Sequence, residues 1–405
     1  MTETRAAGPA EEQEFSYRPL VWLAVATFSM GIDGYVLAGL LPAIAGDLRV
    51  STAAAGQLMT IFALTAALAG PVLSTVTSRW ERRTTIVLAL GVFVLGNLIV
   101  GLAQNYPIAL SGRVVAALGG SLLNAAVLGY VIAMTPVQHH GKALSFVLGG
   151  WMVATALGVP VGLVIGQSSW RFPLIMVAVV GSIALVGIMI GLPRLHLPAA
   201  SLADRLRPLG QPRLLAALLV TTGILCSSYT CFTYAVLILG PHLGADWMII
   251  AVMFGYGVAS MVGNAVTGRL TDRFTPVRVL TVVLTGLLLN SVLGMTGLML
   301  SPAVLVTVLG LLWFFLAGVG NGGAAVPQQA RLGALAPASA AIVMALNGSA
   351  ISLGSALGSG LGGVALTTGL PPNGLLGVAS VVLAITVTLH LIVSRSSTAA
   401  KVAVE

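Results

Sequence analysis

The hydrophobic residues of the chain are concentrated in twelve long runs that short polar stretches separate. A transmembrane helix needs about 20 mostly apolar residues, and each run reaches that length. The runs do not alternate residue by residue with polar positions, which predicts helices and not the strands of a β-barrel. The predicted spans are residues 19–41, 57–77, 84–103, 106–135, 143–166, 171–192, 213–240, 247–267, 277–299, 302–325, 337–366 and 373–394.

The composition supports a protein that crosses a membrane many times. Of 405 residues, 57% are hydrophobic and 7% are charged, whereas a soluble domain is roughly a quarter charged. Two neighbouring cysteines, Cys226 and Cys231, cannot form the framework of a disulfide-rich secreted domain. The net charge of +8 does not indicate a nucleic-acid partner, because such binding needs the basic residues on a soluble face.

The basic residues instead predict the orientation of the spans. Of the 19 Lys and Arg residues, 16 fall on the side that both termini share. Only Arg49 and Arg171 fall on the other side, and Arg113 lies inside the fourth span. Because Lys and Arg accumulate in cytoplasmic loops, we expect both termini to be cytoplasmic, with membrane lipid as an additional contact of the basic loops.

A polar connection at 193–212 divides the spans into six and six. The predicted organisation is a cytoplasmic tail at 1–18, a six-helix bundle at 19–192, a cytoplasmic linker at 193–212, a second bundle at 213–394 and a tail at 395–405. Short basic turns follow the second span of each half, and glycines four residues apart recur in spans five and eleven. These repeats predict two related halves with a binding site between them.

The segment Gly268–Arg278 reads G-x-L-x-D-R-x-x-x-x-R, and the turn after span two is a degraded copy in which Ser74 and Ser78 replace the Gly and the Asp. Arg113 lies in the fourth span, and the segment 31–42 contains Asp33 of the first span. The Gly268–Arg278 segment resembles the loop signature of the major facilitator superfamily, and Arg113 resembles the arginine motif of its fourth helix. The segment 31–42 resembles the first helix of the twelve-helix drug:proton antiporters of the chloramphenicol-resistance and arabinose-efflux type. The gating positions implied by the resemblance are Arg79, Arg82, Arg83, Gly158, Pro160, Gly162, Gly268, Asp272, Arg273 and Arg278.

The resemblance also implies an architecture and a way of working. The expected fold is an all-α membrane protein of twelve transmembrane helices, arranged as two six-helix bundles related by a pseudo-two-fold axis. It implies a protein of the bacterial cytoplasmic membrane that acts as a monomer and is driven by the proton gradient, without a cofactor. The glycines and the proline of the fifth helix are expected to let the two halves close tightly.

Asp33 is the only acidic residue that falls well inside a span, and Arg113 is the only basic one. An ionisable group inside a membrane faces a cavity or a partner and is by default a functional candidate. We therefore expect Asp33 to bind the transported proton and Arg113 to control it. The alternative is a structural ion pair that holds helices one and four together.

The substrate cavity is expected between spans one, four, seven and ten and their neighbours. Drug-sized pockets are largely apolar and aromatic with a few polar groups, although aromatic and Asn residues in spans also serve lipid contacts and helix packing. The candidate lining residues are Tyr35, Asn124, Trp151, Thr230, Tyr234, Tyr256, Trp313, Asn321 and Asn347.

The sequence offers no sign of an enzyme. It contains no recognisable catalytic set and no phosphate-binding loop, and His139 and His140 lack further ligands for a metal site. The leading hypothesis is a proton-coupled exporter of small amphipathic compounds such as chloramphenicol-like antibiotics. Two alternatives stay open: a carrier of a sugar, nucleoside or other metabolite, and a transporter-like membrane sensor that does not transport.

Overall fold

A computed structural model describes residues 17–196, 207–243, 245–300 and 303–402 of the chain. Twelve helices in these segments are long and apolar enough to cross a membrane, which confirms the predicted number of spans, and the described residues contain no strand. Most of the predicted N-terminal tail, the middle of the linker at 197–206 and residues 403–405 lie outside the described residues. The helices are α1 (Arg18–Asp47), α2 (Thr52–Val76), α3 (Arg82–Gly101), α4 (Tyr106–Met134), α5 (His140–Gly166), α6 (Arg171–Gly191), α7 (Pro212–Phe232), α8 (Asp246–Arg273), α9 (Pro276–Leu300), α10 (Ala303–Leu335), α11 (Ala340–Thr367) and α12 (Leu375–Val402).

Polar residues begin several helices at the turns between spans. The side chain of Ser51 accepts a hydrogen bond from the backbone N–H of Ala54, and Asn105 accepts one from Ile108. Such N-caps satisfy backbone donors that a helix leaves without partners. Single turns of 3₁₀-helix lie in the connections between helices, at Thr77–Arg79, Val137–His139, Arg207–Gly210, Gly240–His242, Pro337–Ser339 and Pro372–Gly374.

The two sets of six helices pack in the same pattern. In the first set α1 packs on α5 and α6, α3 on α4 and α6, and α2 on α4. In the second set α7 packs on α11 and α12, α9 on α10 and α12, and α8 on α10. Adding six to each helix number of the first set gives the second, so the architecture is the pair of related six-helix bundles that the sequence predicted.

The glycines of α5 pack inside one bundle in this conformation, and their expected role in closing the two halves stays a prediction. Side chains added at Gly158 and Gly162 would collide with Ile32 and Val36 of α1. Pro160 follows a π-helical turn at Ala154–Gly158, where a wider turn accommodates the missing backbone donor. In the second bundle Gly354, Gly358 and Gly362 of α11 pack against α7 in the same way. Small residues let paired helices approach closely where apolar surface alone gives no driving force.

The structure differs most from the predicted spans at α7 and α10. The seventh span was predicted as continuous to residue 240, but α7 ends at Phe232 and a short separate helix follows at Ala235–Leu239. The break turns the Tyr234 side chain inward, where its hydroxyl donates to the Ser359 carbonyl. The tenth span was predicted to end at residue 325, but α10 continues through Pro327 to Leu335, because one proline is tolerated in a well-packed membrane helix.

The bundles meet at the end that carries neither terminus, here called the distal end; the opposite end is the proximal end. At the distal end Gly363 of α11 faces Gln57 of α2, and Tyr234 packs against Gly56 of α2. On the other side of the molecule, Gly257 of α8 lies against the Thr155 carbonyl of α5. The pairs α2–α11 and α5–α8 are equivalent under the symmetry, so the distal end is closed on both sides.

Candidate proton and substrate sites

A buried ion pair joins α1 to α4 in the first bundle. Arg113 Nη1 lies 2.6 Å from Asp33 Oδ1, and the two residues are 2% and 1% exposed. Arg113 Nε donates to the Leu58 carbonyl of α2, and the Phe62 ring lies 4.1 Å from its guanidinium carbon. The guanidinium is thus fixed by three helices, and the predicted partnership between Asp33 and Arg113 is present.

The second carboxylate oxygen of Asp33 takes no part in this ion pair. Asp33 Oδ2 is buried and accepts no hydrogen bond from any described residue. A buried polar atom without a partner is costly, so each such atom calls for an explanation. A proton on this oxygen would remove the charge without requiring Arg113 to leave. The pair is therefore also suited to a chemical role beyond holding two helices together.

The opposite face of α1 contributes to an aromatic cluster between the bundles. Asp33 and Tyr35 are two positions apart, so their side chains project about 200° apart around the helix. The Tyr35 ring contacts Phe232 at a centroid distance of 5.5 Å and also faces Trp151. Phe232 contacts Tyr256 at 5.0 Å, within the range of favourable aromatic pairs. A single helix thus connects the ion pair to this cluster.

A small polar pocket opens from the aromatic cluster into the second bundle. Its volume is about 30 Å³, which leaves room for about one water molecule. Asn321 Nδ2 donates to the Tyr256 hydroxyl at 3.2 Å, and Ser228 lies 3.5 Å from the same oxygen. Trp313 and Asn290 also line the pocket, and no Asp, Glu, Lys or Arg does so among the described residues. Among the described residues, its polar lining therefore consists of uncharged groups, chiefly hydroxyls and amides.

The structure brings together only part of the predicted cavity lining. Tyr35, Trp151, Tyr256, Trp313 and Asn321 belong to the aromatic cluster or the polar pocket. Asn124 is half-buried on α4, and no described contact joins it to the cluster. Phe232, Tyr229 and Phe314 complete the cluster but were missed, because an aromatic residue in an apolar run gives no signal of which way it faces.

Three predicted lining residues serve packing instead. Thr230 is fully buried and donates to the Cys226 carbonyl within α7. Tyr234 lies in the distal closure, as described above. Asn347 accepts a hydrogen bond from Thr221, whose hydroxyl in turn accepts one from Gln328. These side chains satisfy one another between helices, where an unpaired polar group would be expensive, so they are not available to a ligand.

The basic turn after α2 holds the beginning of the linker. The Arg82 backbone N–H donates to the Leu195 carbonyl, and Arg83 donates to the carbonyls of Met189 and Leu192. Tyr130 of α4 donates to the Pro193 carbonyl at 2.8 Å. We call this set of contacts the linker clamp. Arg79, by contrast, is exposed.

Glu81 completes the linker clamp and was not singled out in the sequence. Its carboxylate caps α3 by accepting from the backbone N–H groups of Arg83 and Thr84, and it also accepts from Leu195. Burial raises the pKa of Glu81, but the hydrogen bonds from Thr84, Arg83 and Leu195 outweigh that effect and lower the pKa to about 2. The capping position directly before the apolar run at residue 84 was the available signal.

The corresponding turn of the second bundle, after α8, is more exposed than the turn after α2. Gly268, Asp272 and Arg273 lie within the last turns of α8 and not in a loop, and Asp272, Arg273 and Arg278 are exposed. A side chain added at Gly268 would meet no atom within 4 Å. The loop signature therefore has no visible packing requirement in this conformation.

A second buried cation was missed because the tenth span was predicted too short. Arg331 was placed in a cytoplasmic loop, but it lies on α10 and is 5% exposed. Its Nη1 lies 2.8 Å from Nδ1 of His390 on α12, and His390 Nε2 lies 2.8 Å from the Thr281 hydroxyl on α9. Arg113 is thus not the only basic side chain buried within the described spans.

The chain matches the sequence profile described as the Major Facilitator Superfamily over residues 23–358. The chain belongs to this family of transporters. Among its relatives is a chloramphenicol resistance protein of Streptomyces lividans, 33% identical over 65% of this chain and 69% of that protein. A chloramphenicol efflux pump of Mycobacterium tuberculosis is 30% identical over 68% of this chain and 65% of that protein. An uncharacterized transporter of the family from Bacillus subtilis is 30% identical over 85% of this chain and 87% of that protein.

Solved structures of the superfamily share the fold. A D-xylose–proton symporter superposes with a TM-score of 0.74 at 15% identity, covering 92% of this chain and 97% of that one. An inward-facing, occupied bacterial homologue of the human lysosomal transporter Spinster gives a TM-score of 0.74 at 17% identity, covering 94% and 98%. These similarities establish the architecture, and the chain is a multi-pass membrane protein of this superfamily.

Proposed function

We propose that this transporter is a proton-coupled exporter of small, neutral, amphipathic compounds of the chloramphenicol type. The observation that carries the proposal is the buried Asp33–Arg113 pair, in which Asp33 Oδ2 has no partner among the described residues. Asp33 lies on the same helix as Tyr35 of the aromatic cluster, so a change at Asp33 can reach the substrate site through α1. Relatives that are named for chloramphenicol resistance and efflux support the substrate class.

The positive-inside bias gives this proposal a direction. With the basic turns in the cytoplasm, the proximal end is cytoplasmic and the closed distal end faces outward. The conformation described here is then the inward-facing one. Substrate enters from the cytoplasm, protons that enter from outside load Asp33 in the opposite conformation, and the bundles rock about the site between them.

A matched pair of variants tests the coupling. The chain has a second acidic residue on α1, Asp47, which pairs with Arg171 at 2.8 Å but is partly exposed. In proteoliposomes with an imposed pH gradient, Asp33→Asn is expected to abolish concentrative chloramphenicol transport and to keep chloramphenicol exchange without a gradient. Asp47→Asn is expected to transport as the unaltered protein does.

Retained exchange by Asp33→Asn would show that the variant is folded and still binds substrate. If Asp33→Asn accumulates chloramphenicol against a gradient at the unaltered rate, Asp33 is not the coupling residue. If the unaltered protein moves no chloramphenicol under any gradient, the substrate assignment is wrong.

A metabolite carrier is the second candidate. The amide of Asn321, the amide of Asn290 and the hydroxyl of Ser228 line the polar pocket, and such groups also recognise sugars and nucleosides. Uptake of radiolabelled xylose and uridine by the same proteoliposomes distinguishes the two, since we expect an exporter of amphipathic compounds to transport neither of these strongly polar molecules.

A further inference from the structure

A second, larger cavity lies beside the polar pocket and is lined almost entirely by aliphatic and aromatic side chains. Its volume is about 310 Å³. Trp247, Ala251 and Gly255 of α8 form one wall, and Leu311 and Phe315 of α10 form the other. We call this cavity the wedge. Its volume is at the lower end of the range for small-molecule sites, whereas the polar pocket alone is far too small for a drug.

The wedge exists because α8 and α10 separate toward the distal end. Nearer the proximal end their backbones touch: Gly263 meets the Val319 carbonyl, and Gly322 meets the Ser260 carbonyl. The last such contact is Gly318 against the Tyr256 carbonyl, where an added Cβ would lie at 2.8 Å. Beyond that point the cavity is lined on the α10 side by Leu311, Phe314 and Phe315, whose large side chains hold the two helices apart. The cavity is therefore a consequence of where the small residues stop.

The mouth of the wedge opens sideways, away from the bundle axis. Trp247 is 66% exposed and Phe315 is 45% exposed. Phe315 belongs to an exposed apolar stripe of α10 that includes Val308 and Leu312 at helical spacing. In a span with this composition, such a stripe faces lipid. A compound dissolved in the membrane can accordingly reach the wedge without crossing the closed distal end.

The inner wall of the wedge is shared with the polar pocket. Tyr256 and Phe314 line both cavities, and their ring centroids are 4.7 Å apart. The Tyr256 hydroxyl is bonded to Asn321 on the pocket side. The Tyr256 and Phe314 side chains thus separate an apolar cavity, the wedge, from the polar pocket. A molecule with an apolar aromatic part and a polar part could place one part on each side of them.

We propose that the wedge binds the apolar aromatic part of the transported compound and connects the substrate site to the membrane. That the bound compound is the transported substrate rests on the proposed function, whereas the existence of a binding site in the wedge does not. The chemical class is a neutral aromatic molecule. A lipid acyl chain is the competing occupant.

Two glycines provide a matched pair of variants. A Cβ at Gly255, in the wedge, and a Cβ at Gly286, on the exposed face of α9, would each meet no atom within 4 Å. Gly255→Leu therefore has room for its Cβ and places its side chain in the wedge, and Gly286→Leu adds the same side chain elsewhere. Both variants are expected to unfold at the temperature of the unaltered protein.

The site is tested in nanodiscs with an iodophenyl trifluoromethyl diazirine, a neutral photoreactive aryl compound. We expect labelling of the wedge walls that excess unlabelled compound displaces, and that falls about tenfold in Gly255→Leu while persisting in Gly286→Leu. Labelling that no excess displaces, as on an ordinary lipid-facing surface, would mean that only lipid occupies the wedge and would overturn the proposal.

Chloramphenicol export by the same two variants tests whether the wedge takes part in transport. Gly255→Leu is expected to lower chloramphenicol export about tenfold, and Gly286→Leu to leave it unchanged. Displaceable labelling combined with unchanged export by Gly255→Leu would overturn the link between the wedge and transport. If the unaltered protein does not export chloramphenicol, the proposed function fails, and the photolabelling still decides whether the wedge is a site.

Discussion

Arg331 on α10 donates a hydrogen bond to Nδ1 of His390 on α12. Because an arginine has no acceptor, Nδ1 must be the unprotonated nitrogen, and Nε2 then carries the hydrogen and donates it to Thr281. The Thr281 hydroxyl passes its own hydrogen to the Val277 carbonyl. The chain of bonds has a single direction across three helices, and it requires a neutral histidine.

Loss of the histidine acceptor should destabilise the second bundle. In His390→Leu the Arg331 guanidinium loses its acceptor and stays buried, at a cost of about 1–3 kcal/mol. His390→Gln offers a carbonyl oxygen in its place and should lose less. The measurement is chemical unfolding of both variants in nanodiscs. Equal stability of His390→Leu and the unaltered protein would show that water or another group replaces the imidazole.

The Asp33–Arg113 pair should behave as one energetic unit. Removal of one member of a buried ion pair typically costs about 3–5 kcal/mol, because the other charge is left uncompensated. Arg113→Gln and Asp33→Asn should each be destabilising, and the double variant should be clearly more stable than the sum of the two losses indicates. A double-mutant cycle of unfolding free energies measures this. Simple additivity would mean that the two side chains do not depend on each other.

Acidification should weaken the linker clamp through Glu81. Its pKa is 4.5 in an unfolded chain and about 2 in the folded protein, so the folded state favours the ionised form. The contribution of Glu81 is fully present above pH 4.5 and is lost as the pH falls toward 2. Glu81→Gln should thus be less stable than the unaltered protein at pH 7, and the difference should shrink between pH 4.5 and 2.

Asp272, the exposed acid at the corresponding turn of the second bundle, supplies the control. Asp272→Asn should change stability by no more than about 0.5 kcal/mol at any pH in that range. A stability difference between Glu81→Gln and the unaltered protein that does not vary with pH would contradict the assigned role of the carboxylate.

A larger side chain at the α5–α8 contact should separate the two bundles at the distal end. A Cβ at Gly257 would lie 2.7 Å from the Thr155 carbonyl oxygen, which belongs to backbone and cannot swing aside. Gly257→Val should shift the population toward a distally open conformation. Spin labels on Gln104→Cys and Thr368→Cys, both exposed at the distal end, would report longer distances. The same labels in Gly286→Val should report no change; an unchanged distance in Gly257→Val would show that α8 yields without opening.

Hydrophobic run length and charge asymmetry predicted the fold well because the membrane imposes both. Each span must be long and apolar, and no internal packing detail is needed to see it. The apolar composition of the spans also conceals which side of each helix faces the interior. Since nearly all residues of a span are apolar, periodicity does not reveal the inward face, and Thr230 and Phe232 could not be assigned to packing and to the aromatic cluster from the sequence alone.

Isolated charges were the most informative side chains. Asp33 and Arg113 were paired from the sequence because an ionisable group in a span needs a partner. Arg331 obeys the same rule, but Pro327 gave an early end to the predicted helix and moved the arginine into a loop. The glycine stripe of α5 was recognised as a close-approach surface, but its partner helix, α1, could not be named from the sequence, because spacing shows that something packs there and not which helix does so.

The distal closure rests on glycine backbone, Tyr234 and the Gln57 amide, and among the described residues no ion pair crosses it. Salt weakens contacts between exposed charges and leaves close-packed uncharged surfaces almost untouched. The balance between the two conformations should then be nearly independent of ionic strength on the distal side. The residues described at this closure also include no carboxylate that could relay a proton or bind a cation, so we expect close packing, and not charge, to prevent leakage.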